Sequence, residues 1–364
     1  MKTMLALLIS MIFAANVAAQ TADWQATWDK TLAAAKREGK VVIIGSPDPV
    51  MRGMINPKFT ERFGIKVEYI AGSSGQLSER VRTERAAGIY STDIFMSGAN
   101  TTLNFMLPNK MLDPLKPLLI LPEVTESKYW KKGQPLFSDR EGQYVLALFT
   151  TVDSILMINE SFVKPGDLTS VQDLLDPKWR GKIMTQDPKL SGSGSNTAGY
   201  IYRELGADFV RKLYVDQKPV FSADRRQMTD WLARGTYPIC LTCRADDTKD
   251  LVKDGFKLKE IYSLPGIRDR VIVGSPFLLT YANKAPNPNA ATVFINWMAS
   301  KEAVEIYSRN FGSVSLRTDV DESFLVQEAI PKAGVEYNDD TDPEWLMTGR
   351  VETAKIVRDL LAAP

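Results

Sequence analysis

The sequence contains no histidine among its 364 residues. This absence removes the commonest general base and the commonest ligand of transition metals, and it excludes a Ser-His-Asp triad. The chain also lacks a G-x-S-x-G nucleophile motif and a G-x-x-x-x-G-K-[ST] loop, so it is not the ATPase of a transporter. A lysine- or carboxylate-based enzyme is left open by these absences, but no residues indicate one. We therefore expect no enzymatic activity, no catalytic or metal-binding residues and no cofactor.

An excess of charge of one sign is also missing. Lysine and arginine number 45, aspartate and glutamate number 44, and the two signs are mixed along the chain. Nucleic acids and anionic membrane surfaces attract proteins through basic patches. We therefore expect neither as the principal partner.

Long apolar runs are absent except near the N-terminus. Met1 and Lys2 precede an apolar run over residues 4–15, and small residues follow at Val17, Ala18 and Ala19. This pattern predicts a secretory signal peptide over residues 1–19, cleaved before Gln20, and hence a periplasmic protein. The run is shorter than the roughly 20 apolar residues that a transmembrane helix needs, which disfavours the alternative of a membrane anchor.

The remaining 345 residues, from position 20 to 364, are too many for one ordinary hydrophobic core and favour two domains. Strand-like and helix-like segments alternate along them, which predicts α/β lobes with largely parallel sheets. The predicted strands cover residues 41–45, 65–70, 92–96, 144–149, 154–158, 182–184, 237–241, 258–262, 270–273 and 277–282. The predicted helices cover residues 24–38, 51–63, 76–87, 171–175, 196–205, 225–234, 247–254, 290–300, 302–308 and 351–361.

Several short segments, taken in order and spacing, resemble a known family. They cover residues 71–75, 92–98, 174–182, 187–194, 294–302 and 316–320. Together they resemble the ferric, thiamine and phosphonate branch of the family 1 extracellular solute-binding proteins, which serve ABC importers. The resemblance implies a two-lobed, type II-like periplasmic binding protein fold with the ligand cleft between the lobes. It also implies a membrane permease and an ATPase as partners, and we expect the binding protein itself to be a monomer.

From this resemblance we expect lobe 1 to contain residues 20–100 and 266–320, and lobe 2 to contain residues 101–265 and 321–364. Ligands of α/β folds bind beyond the carboxyl ends of strands, where glycines expose backbone N–H groups and helices begin. In lobe 1 the candidate ligand-binding residues are Ser46, Ser73, Ser74, Gly75, Gly98 and Asn100. In lobe 2 they are Ser191, Ser193, Ser195, Asn196, Arg244 and Asp246. The alternatives are ordinary helix caps for the loops and a surface ion pair of Arg244 with Asp246 or Asp247.

The resemblance does not identify the ligand. Iron-binding members use a pair of adjacent tyrosines, but the corresponding stretch 239–247 contains none. We expect a small polar, anionic organic solute, phosphorylated or carboxylated, that is captured in the periplasm for import. Ferric iron, thiamine or an enzyme on the same fold are the alternatives. Cys240 and Cys243 indicate a local disulfide or two buried thiols in preference to a metal site.

The cleavage site gives a direct test. We expect the protein recovered from the periplasm to begin at Gln20, because the small residues before it suit signal peptidase. N-terminal sequencing of the exported protein checks this, and an exported chain that still carries Met1 contradicts it.

Overall fold

The computed structural model describes residues 24–190, 192–274 and 277–362. The predicted signal peptide, the cleavage site before Gln20 and the candidate residue Ser191 lie outside the described residues. Within these ranges, no helix combines the length and the apolar character that crossing a membrane requires.

Helices and strands alternate through much of the described chain. The helices are α1 (24–38), α2 (Asn56–Phe63), α3 (Ser74–Ala86), α4 (Ala99–Thr101), α5 (Pro122–Thr125), α6 (Ser193–Arg211), α7 (Arg225–Arg234), α8 (Ala245–Lys253), α9 (Pro288–Met298), α10 (Lys301–Phe311) and α11 (Arg350–Ala362). The strands are β1 (Lys40–Gly45), β2 (Lys66–Ala71), β3 (Ile94–Ser97), β4 (Leu112–Asp113), β5 (Leu136–Phe137), β6 (Val145–Ala147), β7 (Phe149–Asp153), β8 (Leu156–Asn159), β9 (Ile183–Thr185), β10 (Val220–Phe221), β11 (Ile239–Cys240), β12 (Leu258–Ile261), β13 (Arg270–Val273), β14 (Leu278–Ala282), β15 (Val314–Ser315) and β16 (Asn338–Asp340). Short π-helical and 3₁₀ turns complete the chain; the predicted helix 171–175 is one such 3₁₀ turn.

The chain forms two compact units. Unit 1 contains residues 24–150 and Gly274–Phe324, and unit 2 contains Thr151–Val273 and residues 325–362. These units differ from the expected lobes, because residues 101–150 and 321–324 belong to unit 1 and residues 266–273 to unit 2. Strand pairing is the physical reason: β4 and β6 pair with β14 in unit 1, whereas β13 pairs with β16 in unit 2.

Unit 1 is built on a seven-stranded sheet. Its order is β2-β1-β3-β14-β6-β5, and β4 also pairs with β14. Strands β1, β2 and β3 are parallel, but β14 runs antiparallel to β3, β4 and β6. The expectation of a largely parallel sheet therefore holds only for one half of this sheet, because the later strands join it through antiparallel pairs.

A buried carboxylate connects the sheet of unit 1 to the start of a helix. Asp93, just before β3, is fully buried and accepts hydrogen bonds from the backbone N–H of Val42 (2.7 Å) and of Asn287 (2.7 Å). The side-chain amide of Asn287 also donates to it, at 2.9 Å. Because Asn287 directly precedes α9, these bonds hold the start of α9 beside β1.

Unit 2 has a five-stranded sheet of order β10-β9-β11-β8-β12. Strands β10, β9 and β11 are parallel, and β8 is antiparallel to both β11 and β12. Helix α6 is longer than predicted because the chain turns at Gly206 (φ 81°, ψ 179°) and continues as a second helical segment. It packs against α11, where Val357 and Ile201 belong to the same apolar cluster.

Of the structural alternatives for the two cysteines, unit 2 contains the disulfide Cys240–Cys243. Both residues are buried beside Met184 and Leu232. A continuous strand would point side chains at i and i+3 to opposite faces. The strand β11 ends at Cys240, however, so the turn that follows brings the two sulfur atoms together.

Candidate functional site

In unit 1, the candidate residues gather at one edge of the sheet. Gly45, at the end of β1, is opposite Ala71 of β2 and Met96 of β3, so the three parallel strands end side by side. Ser46 follows β1, residues 73–75 follow β2, and residues 98–100 follow β3. The strand register therefore places these three loops at one edge of the sheet, which is the arrangement expected from the sequence.

Two of these loops also have ordinary structural roles. Ser73 is the N-cap of α3: its hydroxyl oxygen accepts from the N–H of Gln76 (3.4 Å), and the Gln76 side chain accepts from the N–H of Ser73 (3.1 Å). The carbonyl of Ser46 accepts from the hydroxyl of Tyr69 at 2.7 Å, which leaves its exposed side chain unused by this bond. Gly75 is exposed in the first turn of α3, while the side chain of Ser74 lies outside the described residues.

The last residue of β3 carries a hydroxyl group that was not among the candidate ligand-binding residues. Gly98 is the N-cap of the three-residue helix α4, and its carbonyl accepts from the hydroxyl of Thr102 (3.1 Å), while Asn100 is half-buried. The neighbouring Ser97 is buried, and among the described residues its hydroxyl has no hydrogen-bond partner. An unpaired buried hydroxyl is costly, so this position favours a polar group close to it.

In unit 2, two helices begin at the same edge of the sheet. The parallel strands β9 and β11 are neighbours, with Met184 opposite Cys240, and they lead into α6 and α8. Beyond the strands, the N–H of Gln186 donates to the hydroxyl of Thr242 at 2.9 Å. The loop before α6 and the loop before α8 are therefore bonded to each other.

A close backbone approach holds the start of α6 against the end of β9. A Cβ added at Gly194 would lie 2.5 Å from the carbonyl oxygen of Gln186, so only glycine fits. Ser193 is half-buried at the first helical position, whereas the hydroxyl of the buried Ser195 donates to the carbonyl of Gly192 at 3.2 Å. The backbone of this turn, more than the Ser195 hydroxyl, offers donors to a ligand.

A buried arginine donates a hydrogen bond to the backbone of the same turn. Arg270 is 7% exposed and forms an ion pair with Asp153. Its Nη1 donates to the carbonyl of Asn196 at 3.3 Å, and its guanidinium lies 4.9 Å from the ring centre of Tyr200. The role found for Asn196 is therefore partly structural, through its main chain.

Arg244 is the N-cap of α8 and is half-buried. Among the described residues, no carboxylate lies within ion-pairing distance of its guanidinium. Asp247, one of the two alternative partners considered for it, instead pairs with Arg225 at 3.0 Å. The other, Asp246, has a side chain outside the described residues.

Glu260 at the end of β12 was missed by the sequence reasoning. Its Oε1 accepts from the N–H of Ala245 (3.1 Å) and the hydroxyl of Ser154 (3.2 Å), and its Oε2 accepts from the hydroxyl of Tyr262. Burial raises the pKa of the Glu260 carboxyl. The available signal was the alternation of the predicted strand 258–262, which places Glu260 and Tyr262 on the same face.

Clusters of metal-binding side chains are absent from the described residues. Among them, no group of three or more cysteine, aspartate or glutamate side chains is arranged to hold a metal ion. Burial raises the pKa of the Tyr200 phenol, whose hydroxyl donates to the carbonyl of Arg268. Its phenolate form, which iron would need, is therefore disfavoured.

Comparisons with known proteins agree with this architecture. Residues 54–333 match the family model described as bacterial extracellular solute-binding protein. The iron uptake protein A1 of Synechocystis sp. is 27% identical over 127 residues, which are 35% of this chain and 32% of that protein. The chain thus matches about a third of the length of this curated relative.

Solved structures of periplasmic binding proteins are similar over most of the chain. One is AfuA from Actinobacillus pleuropneumoniae with fructose-6-phosphate bound: TM-score 0.69, 17% identity, 89% of this chain and 99% of AfuA covered. Another is iron-bound HitA from Pseudomonas aeruginosa: TM-score 0.65, 16% identity, 88% of this chain and 99% of HitA covered. At these identities the likeness shows a shared fold, and it confirms the predicted α/β periplasmic binding protein fold.

The close approach at Gly194 can be tested. We expect Gly194→Ala to lower the free energy of unfolding by about 1–3 kcal/mol, because the added methyl group meets a backbone carbonyl that cannot rotate away. Gly75→Ala is the matched control: no atom lies within 4 Å of its added Cβ, so the change should be neutral or slightly stabilising. Chemical denaturation measures both, and equal stability of the two variants would show that α6 can shift to accept a side chain.

Proposed function

Because this chain belongs to the family of bacterial extracellular solute-binding proteins, we propose that it captures a small anionic solute in the periplasm and delivers it to an ABC importer. The solute carries a phosphate or carboxylate group, and the importer supplies the permease and the ATPase. The binding protein acts as a monomer and performs no chemistry on the solute.

The observation that supports an anionic ligand is the state of Arg244. A guanidinium without a carboxylate partner among the described residues is available to an incoming anion. Arginine offers two parallel N–H donors that match the geometry of carboxylate and phosphate oxygens. The positive end of α6 lies at the same sheet edge and adds backbone donors.

Removing this guanidinium tests the proposal. The solute is first identified by mass spectrometry of small molecules that co-purify with the protein, and its affinity is then measured by calorimetry. We expect Arg244→Ala to weaken binding by about 1.5–3 kcal/mol, because a charge-assisted hydrogen bond is lost. The control is Arg234→Ala, which removes an exposed arginine paired with Asp230 within α7 and should leave affinity unchanged. Equal affinities of both variants and the unaltered protein would contradict the proposed role of Arg244.

Iron needs a separate test, because the names of some similar proteins include it. We expect ferric citrate to leave the protein uncoloured and its melting temperature unchanged. Ferric ion prefers anionic oxygen ligands, and the stretch 239–247 offers no tyrosine. Visible spectroscopy and thermal melting check this, and a coloured one-to-one complex that survives a citrate wash would contradict it. Tyr144, Tyr200 and Tyr202 would then be the first tyrosines to replace.

A further inference from the structure

Unit 2 contains a pocket of about 650 Å³ to which no role has been assigned so far. Residues of β12, the loop that follows it and the segment 326–337 line it. All the lining residues belong to unit 2, so the pocket is a feature of this unit by itself.

Carboxylates outnumber cationic side chains on its walls. Glu260, Asp269 and Glu328 line the pocket together with Lys259 and Lys332. Lys259 lies 3.7 Å from Glu160, a residue outside the pocket lining, which offsets its charge. Among the described residues, neither Asp269 nor Glu328 forms an ion pair. The pocket lining therefore contains one more carboxyl group than cationic side chains.

The remaining walls suit an organic cation. Tyr262 and Tyr337 line the pocket beside apolar side chains, and aromatic rings attract cations to their faces. The carboxylate of Glu260 is held in place by three hydrogen-bond donors, so it is oriented before any ligand arrives. Burial disfavours its charged form, and a cation bound beside it would restore that form.

The pocket adjoins the proposed anion-binding residue. Glu260 accepts a hydrogen bond from the N–H of Ala245, the residue directly after Arg244. A solute whose anionic group binds Arg244 would therefore have the Glu260 carboxyl group nearby. If the solute also carries a positive group, that group can pair with the ionised form of Glu260.

We propose that the solute is zwitterionic, with an ammonium group that binds in this pocket beside Glu260 while its phosphate or carboxylate group binds Arg244. The inference rests on the proposed function, since it assigns a second group of the same solute.

Matched probes test it. Calorimetry compares phosphoethanolamine with ethyl phosphate, which has the same phosphate ester but no ammonium group. β-Alanine and propionate provide the same comparison for a carboxylate. We expect the ammonium-bearing member of at least one pair to bind tenfold or more tightly than its partner, since a charge-assisted hydrogen bond contributes about this factor.

Substitutions of the pocket carboxylates test whether these groups cause the preference for the ammonium-bearing probe. Glu260→Gln keeps an oxygen that can accept from Ala245 and removes the charge, so the preference for the ammonium-bearing probe should disappear. Glu328→Gln reduces the same preference without touching α8, because Glu328 is exposed and forms no ion pair among the described residues. Glu61→Gln in α2 of unit 1, which removes an exposed carboxylate paired with Lys58, is the control outside the pocket and should leave the preference unchanged.

The outcomes separate the two proposals. If both members of each pair bind equally, or if the co-purified solute has no ammonium group, the zwitterion is wrong and the anion-binding role of Arg244 stands. If no probe binds and Arg244→Ala does not change the affinity for the co-purified solute, the proposed anion site fails and the zwitterion fails with it. A preference that persists in both Glu260→Gln and Glu328→Gln would show that the ammonium group binds elsewhere.

Discussion

The parallel pairing of β9 with β11 determines where the candidate binding groups of unit 2 lie. Two adjacent strands that run in the same direction must end at the same sheet edge, so α6 and α8 both begin there. The bond between Gln186 and Thr242 and the close approach of Gly194 then hold the two loops in place. Arg244 is the N-cap of α8, so the same pairing determines its position. It is not part of a sequence motif of its own.

The same edge of unit 2 contains groups of both charges. The guanidinium of Arg244 has no carboxylate partner among the described residues. Glu260 accepts a hydrogen bond from the N–H of Ala245, the residue directly after Arg244. The Glu260 carboxyl group accepts hydrogen bonds from Ser154, Tyr262 and the N–H of Ala245, and no ion pair joins it to Arg244 among the described residues.

Unit 1 repeats the arrangement of parallel strands with fewer charged groups. Its loops after β1, β2 and β3 present serine hydroxyls and backbone N–H groups, and Ser97 is buried without a partner among the described residues. The buried Asp93 holds β1 and the start of α9 together through three hydrogen bonds.

The sequence by itself determined the local elements and the strand-to-helix order. Helix α7 has the predicted bounds, 225–234, and strand β13 the predicted bounds, 270–273, because helical and strand periodicity and the caps that end each element are local properties. The same locality placed the candidate loops after their strands. Only the tertiary structure decided that β14 enters unit 1 antiparallel, that residues 101–150 belong with it, and that Glu260 meets the start of α8. These features depend on pairing between segments far apart in the chain, which hydrophobic periodicity along one segment does not encode.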